Sequence, residues 1–514
     1  MFSNSSLVSI KVFFCIVQKI LLLPLGEREN FHKYKKKEAL FHKIGRKNNT
    51  PTNIQKIFQQ TPFIHIFFVI LQPFFMYYVF MDKKKFLTLT TTGFALFAMF
   101  FGAGNLVIPP YIGLKMGAAS GSAFVGFFLS GIFIPFLAVL MVSSVGTTFS
   151  DLGKRFPAPF VNSLVVLIIV VFGPIVCVPR SGSTTYEVAI EPFFPVVGKI
   201  AFGAIFFAIT LFLALSRSKL VDIIGRWLTP ILFLSLIILI VEGTMNAPKG
   251  LTDNGVGFKE AFTFGFSKGY LTLDVLSGVI FSGLIISAII QKGYSSERQK
   301  REITILSGII AAGCLIFIYG GLLYLGATSD VVAGENVKYI DILKHIAHNG
   351  LGSYGAVIIS VAVAFACLTT AVAIVSAMGA IFETLSHGRI PYHWGVWACC
   401  IVSFVLSIQS VDEIIHYAGY ILDFVYPITI ALTLFMLIFG KRVKAKAPYI
   451  IGVSFTAVFS AIFVIGNLVG SETLKSVQMS LPLAQYHIEW LLPAFAVFGI
   501  TYLVKSEKRK VIND

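Results

Sequence analysis

Phe100-Phe101-Gly102-Ala103-Gly104-Asn105-Leu106-Val107-Ile108-Pro109-Pro110 decides the fold. It lies inside an apolar run from about Leu87 to Ile112, long enough to cross a bilayer. Its middle is built to interrupt a helix. Gly102 and Gly104 carry no Cβ and permit backbone angles that other residues avoid. Pro109 and Pro110 have no N–H, so the carbonyls of Asn105 and Leu106 would lose their intrahelical partners. Backbone groups freed at membrane depth are costly unless they are buried in protein or line a cavity. Asn105 adds a side-chain carbonyl and two donors at the same level. Such a site offers carbonyls to a cation and helix-end N–H groups to a carboxylate, as the discontinuous helices of secondary transporters do. The alternative is that the glycines only permit close helix packing and the prolines only kink the helix.

The composition supports the membrane reading. Of 514 residues, 56% are hydrophobic and 13% charged. A chain this apolar cannot hide its surface as a soluble globule, so it is an integral membrane protein. The formal charge of +16 invites a nucleic-acid partner. That reading is rejected, because Lys and Arg sit in short clusters between apolar spans, as orientation signals do. The six cysteines, Cys15, Cys177, Cys314, Cys367, Cys399 and Cys400, lie mostly inside apolar spans with no metal-ligand spacing. The Cys399–Cys400 pair reads as core or lipid-facing filler.

Residues 1–80 differ in texture. They hold a basic, Lys- and Asn-rich stretch, His32–Asn49, and an uneven aromatic run, Phe63–Phe80. Met81-Asp82-Lys83-Lys84-Lys85 then runs straight into the first patterned span. The expectation is that Met81 is the natural start and that 1–80 is an N-terminal extension outside the native fold. The alternative is that Phe63–Phe80 forms an extra membrane helix, although it contains His65, Gln72 and Pro73.

From Met81, hydropathy gives twelve spans: about 87–112, 120–144, 161–189, 198–215, 221–242, 266–290, 303–327, 352–384, 393–409, 413–439, 449–468 and 488–504. The connecting segments carry 21 Lys and Arg on one side against 8 on the other. By the positive-inside rule both termini are cytoplasmic. The longest external segments are Asn246–Phe262 and Ser329–Gly350. Within the latter, Val337–Ile346 patterns as an amphipathic helix lying across the outer face.

Further constellations carry the chemistry. The sixth span holds Gly269-Tyr270-Leu271-Thr272-Leu273-Asp274-Val275-Leu276-Ser277-Gly278, a second candidate break with an acid at membrane depth. If spans 1–5 (87–242) and 6–10 (266–439) are inverted repeats, the two breaks correspond, and 449–504 supplies the last two helices. The bland alternative is an interfacial Asp274 stabilised by Lys268. The eighth span carries Ala366-Cys367-Leu368-Thr369-Thr370; positions i, i+3 and i+4 share a helix face, so their oxygens could converge on a hard cation. Against this, membrane threonines commonly bond their own backbone. The third span contains Phe172-Gly173-Pro174, Pro179-Arg180, Tyr186 and Glu187. Arg180 is a permanent charge needing a carboxylate, carbonyls or water, with Asp274 and Glu187 as candidate partners in a gate or structural tie. Asp423, near Tyr426 and Pro427, is another buried-acid candidate.

These motifs together resemble the bacterial branched-chain amino acid:cation symporter family, within the amino acid–polyamine–cation superfamily. The resemblance rests on Phe101–Leu106 with Pro109-Pro110, on Pro179-Arg180, on Gly269–Asp274 and on Ala366–Ala371, in order along residues 86–504. It implies an all-α integral membrane protein of about twelve transmembrane helices. The implied architecture is a leucine-transporter-like 5+5 inverted repeat with discontinuous helices 1 and 6. It implies sodium-coupled uptake of leucine, isoleucine and valine. It places Gly102, Gly104 and Asn105 at the substrate carboxylate and the backbone near Thr272, Asp274 and Ser277 at its ammonium group. It also implies a sodium site formed by Ala98, Phe101, Ala366, Thr369 and Thr370, and leaves Arg180 and Glu187 as a gating or structural ion pair. Sodium is then the coupling ion, no other cofactor is expected, and the lipid bilayer is the only obligate environment. No nucleic acid or obligate protein partner is expected, and the location is a bacterial cell membrane.

Two other classes fit poorly. A membrane-embedded enzyme would need a catalytic dyad, His cluster or nucleophile elbow, and the nine His are scattered. A sensor would need an appended soluble domain, and 81–514 contains none. A nearer alternative is a proton-coupled transporter of another amino acid.

Overall fold

The computed structural model describes residues 82–146, 156–216, 229–248, 250–331, 337–351, 353–440 and 442–513. The expected extension 1–80 lies outside the described residues, as do positions 221–228 of the fifth expected span. All described helices belong to the compact unit Lys83–Asp514. No strand occurs among the described residues.

The first span is two helices, α1 (Lys83–Phe100) and α2 (Ala103–Met116), separated at Phe101-Gly102. The second is α3, running as Ser120–Phe128, a π-turn at Leu129–Phe133 and Ile134–Val145. The third, α4, begins at Ala158–Val170, passes a π-turn at Val171–Cys177 and continues as Val178–Thr185 and Tyr186–Ile190. Then come α5 (Lys199–Leu215) and α6 (Thr229–Met245). The sixth span is again two helices, α7 (Phe258–Gly269) and α8 (Asp274–Gln291), joined by a 3₁₀ turn at Tyr270–Thr272. The remainder is α9 (Glu297–Ala327), α10 (Tyr339–Leu351), α11 (Ser353–Leu385), α12 (Tyr392–Leu406), α13 (Val411–Phe439), α14 (Ala447–Val469), α15 (Glu472–Ser480) and α16 (Leu491–Asn513). Each of the twelve expected spans therefore meets a helix or a broken pair. By length and composition, seven stretches of the described residues qualify alone as membrane spans. The others are shorter apolar helices, α5, α6, α12 and the apolar part of α16, or half of a broken span.

Pairing between helices reveals the internal repeat. Both halves of the first span, α1 and α2, pack along the seventh, α9. Both halves of the sixth, α7 and α8, pack along the second, α3. Exchanging spans 1 and 2 with 6 and 7 maps one pairing onto the other, as a 5+5 repeat requires. Close approach makes both crossings possible. A Cβ on Gly326 would strike the Pro110 carbonyl, and one on Gly265 would strike the Ala123 carbonyl. Small residues are what lets membrane helices approach this closely.

The threonines of α1 are locally satisfied. Thr88, Thr91 and Thr92 of α1 return their hydroxyls to carbonyls four residues earlier, at 2.9, 2.7 and 2.6 Å. Thr92 Oγ1 also meets Ser307 Oγ at 2.6 Å, tying α1 to α9.

Two expectations change. Pro109 and Pro110 lie inside α2 without ending it. The break falls seven residues earlier than Pro109, at Gly102, whose extended backbone (φ −111°, ψ −167°) starts α2. A proline removes one hydrogen bond and bends a helix; the extended glycine removes the turn itself. The sixth span begins at Phe258, inside the expected external loop Asn246–Phe262. Lys259 and Glu260 lower its hydropathy, but Ala261, Gly265 and Phe266 form a buried strip against α3. The amphipathic segment is helical as α10, with Ile340, Ile342, Leu343 and Ile346 buried against α2, α6 and α11.

Candidate functional site

The two breaks face each other. Asn105 lies in the first turn of α2, and Asp274 is the first residue of α8. Asn105 Nδ2 lies 3.0 Å from both Asp274 carboxylate oxygens and 3.0 Å from the Phe100 carbonyl, which the break leaves exposed. Tyr319 of α9 donates to Asp274 Oδ2 at 3.1 Å and also contacts Asn105 Nδ2. A carboxylate at a helix N-terminus meets the positive end of the helix dipole. Asp274 is 1% exposed, so these donors stand in for water. The Asn105 side-chain carbonyl, equally buried, has no hydrogen-bond partner. Leu273, just before α8, adopts a left-handed backbone (φ 69°), a conformation costing about 1–3 kcal/mol for a residue with a Cβ. That turn aims Asp274 at Asn105 rather than along the line of α7.

Arg180 closes the arrangement from α4. It is 1% exposed, and its Nη1 donates to the Leu271 carbonyl at 2.8 Å. Leu271 sits in the 3₁₀ turn at the negative, C-terminal end of α7, a favourable place for a cation. The same guanidinium packs over Gly104; a Cβ there would lie 2.7 Å from Arg180 Cζ. Its Nε has no partner. One permanent charge therefore touches both breaks.

The expected Arg180–Glu187 ion pair does not form. Glu187 Oε1 is held instead by Lys199 Nζ at 3.0 Å, Ser183 Oγ at 3.2 Å and the Val411 N–H at 3.2 Å. Seven residues along a helix separate the two by about 10 Å, too far for direct contact, and Lys199 arrives first from α5. Glu187 thus joins α4, α5 and the start of α13, away from the breaks. Arg180 pairs with neither expected carboxylate within 4 Å; its partner is a backbone carbonyl.

The remaining substrate-side residues lie at the breaks, with their hydroxyl protons used locally. Thr272 Oγ1 donates to the Gly269 carbonyl at 2.7 Å, and Ser277 Oγ to the Leu273 carbonyl at 3.1 Å. Each keeps acceptor capacity. Gly102 is packed against Thr370; a Cβ would lie 3.3 Å from Thr370 Cγ2.

Six oxygens, the five expected ones and the Met99 carbonyl, lie together where α1 ends beside α11. Thr370 Oγ1 is 3.2 Å from both the Ala98 and the Phe101 carbonyls and 3.5 Å from that of Met99. Thr369 Oγ1 is 3.4 Å from the Ala98 carbonyl and 2.9 Å from that of Ala366. Thr369 thus also makes the local backbone bond that membrane threonines favour. Thr370 does not; its hydroxyl is directed across to the first span. No His, Cys, Asp or Glu cluster able to hold a metal occurs among the described residues, so an ion here would be held by neutral oxygens alone.

Sequence reasoning missed Tyr319. Its signal was faint, a single hydroxyl in Ile316-Phe317-Ile318-Tyr319-Gly320-Gly321. Tyr319 stacks on Phe101 at 5.9 Å and meets Phe127 edge-on at 5.2 Å, which fixes its hydroxyl over Asp274.

Helices broken at matching places in two repeats, with polar groups gathered at the breaks, are the architecture of a transporter and not of an enzyme. Residues 84–508 match the family described as branched-chain amino acid transport protein, and the chain belongs to that family. It is 31% identical over 432 residues to the branched-chain amino acid permease BraB of Bacillus subtilis, covering 82% of this chain and 97% of that one. It is 33% identical over 433 residues to a Staphylococcus aureus protein designated a branched-chain amino acid carrier, covering 80% of this chain and 95% of that one. Two solved structures share the fold. The nucleobase-cation-symport-1 family transporter Mhp1, closed with bromovinylhydantoin bound, matches at TM-score 0.51 and 14% identity, covering 80% of this chain and 93% of that one. A manganese transporter of Eremococcus coleocola matches at TM-score 0.51 and 13% identity, covering 82% and 96%. The leucine-transporter-like architecture is thus present.

Proposed function

We propose that this protein is a sodium-coupled symporter that carries leucine, isoleucine and valine into a bacterial cell by alternating access, with both termini cytoplasmic. The observation that supports sodium most is the convergence of Ala98, Phe101, Ala366, Thr369 and Thr370. A hard cation takes oxygens at about 2.3–2.6 Å, so neighbouring octahedral ligands lie about 3.3–3.7 Å apart. The Thr370–Ala98, Thr370–Phe101 and Thr369–Ala98 separations of 3.2, 3.2 and 3.4 Å fit ligands that could share one ion with little rearrangement.

The substrate is a zwitterion with an apolar tail. Its carboxylate fits the N-terminus of α2, at Gly102, Gly104 and Asn105, under the Arg180 guanidinium with its free Nε. Its ammonium group fits Asp274 and the acceptors of Thr272 and Ser277. An apolar pocket separates side chains differing by one methylene by only about 1–3 kcal/mol, so overlapping use of the three amino acids follows. Sodium bound between α1 and α11 would tie the broken span to the scaffold and favour substrate binding, and the substrate would favour sodium in return. A potential of 100 mV adds about 2.3 kcal/mol per inward charge.

Replacing external sodium by choline tests the reading. Leucine uptake that falls to background supports sodium coupling. Undiminished uptake moves the reading to a proton-coupled transporter.

A further inference from the structure

A cavity of about 210 Å³ lies between α13, α14 and the segment 484–490 that leads into α16, apart from the Thr369–Thr370 oxygens. Asp423 and Glu489 both line it. Asp423, the thirteenth residue of α13, is exposed where it lines the cavity and so keeps access to water. No ion pair within 4 Å reaches either carboxylate among the described residues. Glu489 is 7% exposed; its Oε1 accepts from Gln478 Nε2 at 2.6 Å, and its Oε2 has no partner.

Other buried oxygens of the lining are also unpartnered. They are the hydroxyls of Tyr270, Tyr426 and Ser460, on side chains 8%, 1% and 5% exposed. One water needs only about 10–15 Å³, so the space admits more than a single bridging water. The walls are aromatic and aliphatic, with Phe459, Phe463 and Trp490 beside Ile430 and Val464. The Tyr270 and Tyr426 rings meet edge to face at 5.1 Å and form one side.

We propose that this cavity, which touches the sixth-span break at Tyr270 but has its carboxylates Asp423 and Glu489 on other elements, is a second ligand site and takes a primary ammonium carrying a small apolar body. An ammonium group offers three donors and no acceptor, the complement of a wall rich in unpartnered oxygens. Aromatic faces attract a cation at close range. A metal ion fits less well, because Asp423, His487 and Glu489 of the lining do not form a group able to hold one. The chemistry is shared by amines and by the amino-terminal end of apolar amino acids; Lys475, also on the lining, offers a partner for the carboxylate of the latter.

Trp490, 3% exposed in the wall, supplies the probe. The full chain in detergent is titrated with 3-methylbutylamine, and separately with leucine, while tryptophan emission is followed. The expected result is a saturable change with the amine that disappears in Trp490→Phe. Half-saturation should rise about tenfold or more in Glu489→Gln and in Asp423→Asn, the loss of one charge-assisted hydrogen bond. Both variants keep side-chain shape; if one fails to elute as a single species, the other and Ser460→Ala carry the test. The same change with leucine, in competition with the amine, assigns the site to amino acids; a response to the amine alone assigns it to amines. The titration is repeated in Asp274→Asn, where the signal should persist whatever happens to transport, so the two sites fail separately. No saturable change, or half-saturation unmoved in the charge variants, overturns the proposal.

Discussion

Replacing Thr370 by Val removes one hydroxyl and keeps the branched shape. That hydroxyl lies 3.2 Å from two carbonyls of the first span, those of Ala98 and Phe101. If an ion sits there, Thr370→Val deletes one of five ligands. An oxygen contact to a charged group contributes about 1.5–3 kcal/mol. Half-saturating sodium for leucine uptake should therefore rise roughly 10- to 150-fold. Thr369→Val should cost less, because its hydroxyl is already engaged with the Ala366 carbonyl at 2.9 Å. Stability should fall by about 1–3 kcal/mol in Thr370→Val, since two buried carbonyls lose a donor. The assay is initial-rate leucine uptake into proteoliposomes at graded external sodium, with choline holding ionic strength. A correctly inserted Thr370→Val protein with unchanged half-saturating sodium would refute the assignment of these oxygens to the coupling ion.

Other expectations follow from the breaks. Gly104→Ala drives a methyl group into the Arg180 guanidinium and should abolish leucine uptake, whereas Gly102→Ala, whose Cβ makes a tight 3.3 Å contact with Thr370 that a shift of a few tenths of an ångström relieves, should retain part of it. Equal rates in the two variants would contradict this. Asp274→Asn keeps shape but removes the charge; uptake should fall at least tenfold while the purified protein elutes normally. Glu187→Gln weakens the half-buried Lys199 pair and should lower thermal stability by about 1 kcal/mol without changing half-saturating leucine, because Glu187 lies away from the breaks.

What could be read from the sequence depended on where the signal resides. The i, i+3, i+4 spacing places Thr369 and Thr370 on the Ala366 face of α11, and the glycines of the first span mark its break, so both were legible. Arg180 was legible as a buried charge but not its partner, because the Leu271 carbonyl is backbone and has no residue-type signature. Pairing it with Glu187 neglected the two helical turns between them and the nearer Lys199. Pro109 and Pro110 also read as interruptions, but they lie inside α2, and the extended Gly102 starts it. The start of α7 at Phe258 was hidden by Lys259 and Glu260, since its burial against α3 is tertiary. Tyr319 acts through a hydroxyl aimed by Phe101 and Phe127, contacts between distant spans that no local pattern encodes.

The most direct test of sodium-coupled branched-chain amino acid uptake is radiolabelled leucine accumulation by the purified full chain in proteoliposomes, with and without an inward sodium gradient. The account predicts sodium-stimulated accumulation that isoleucine and valine compete away. Leucine accumulation that is equal with and without sodium, from folded and inserted protein, would contradict it.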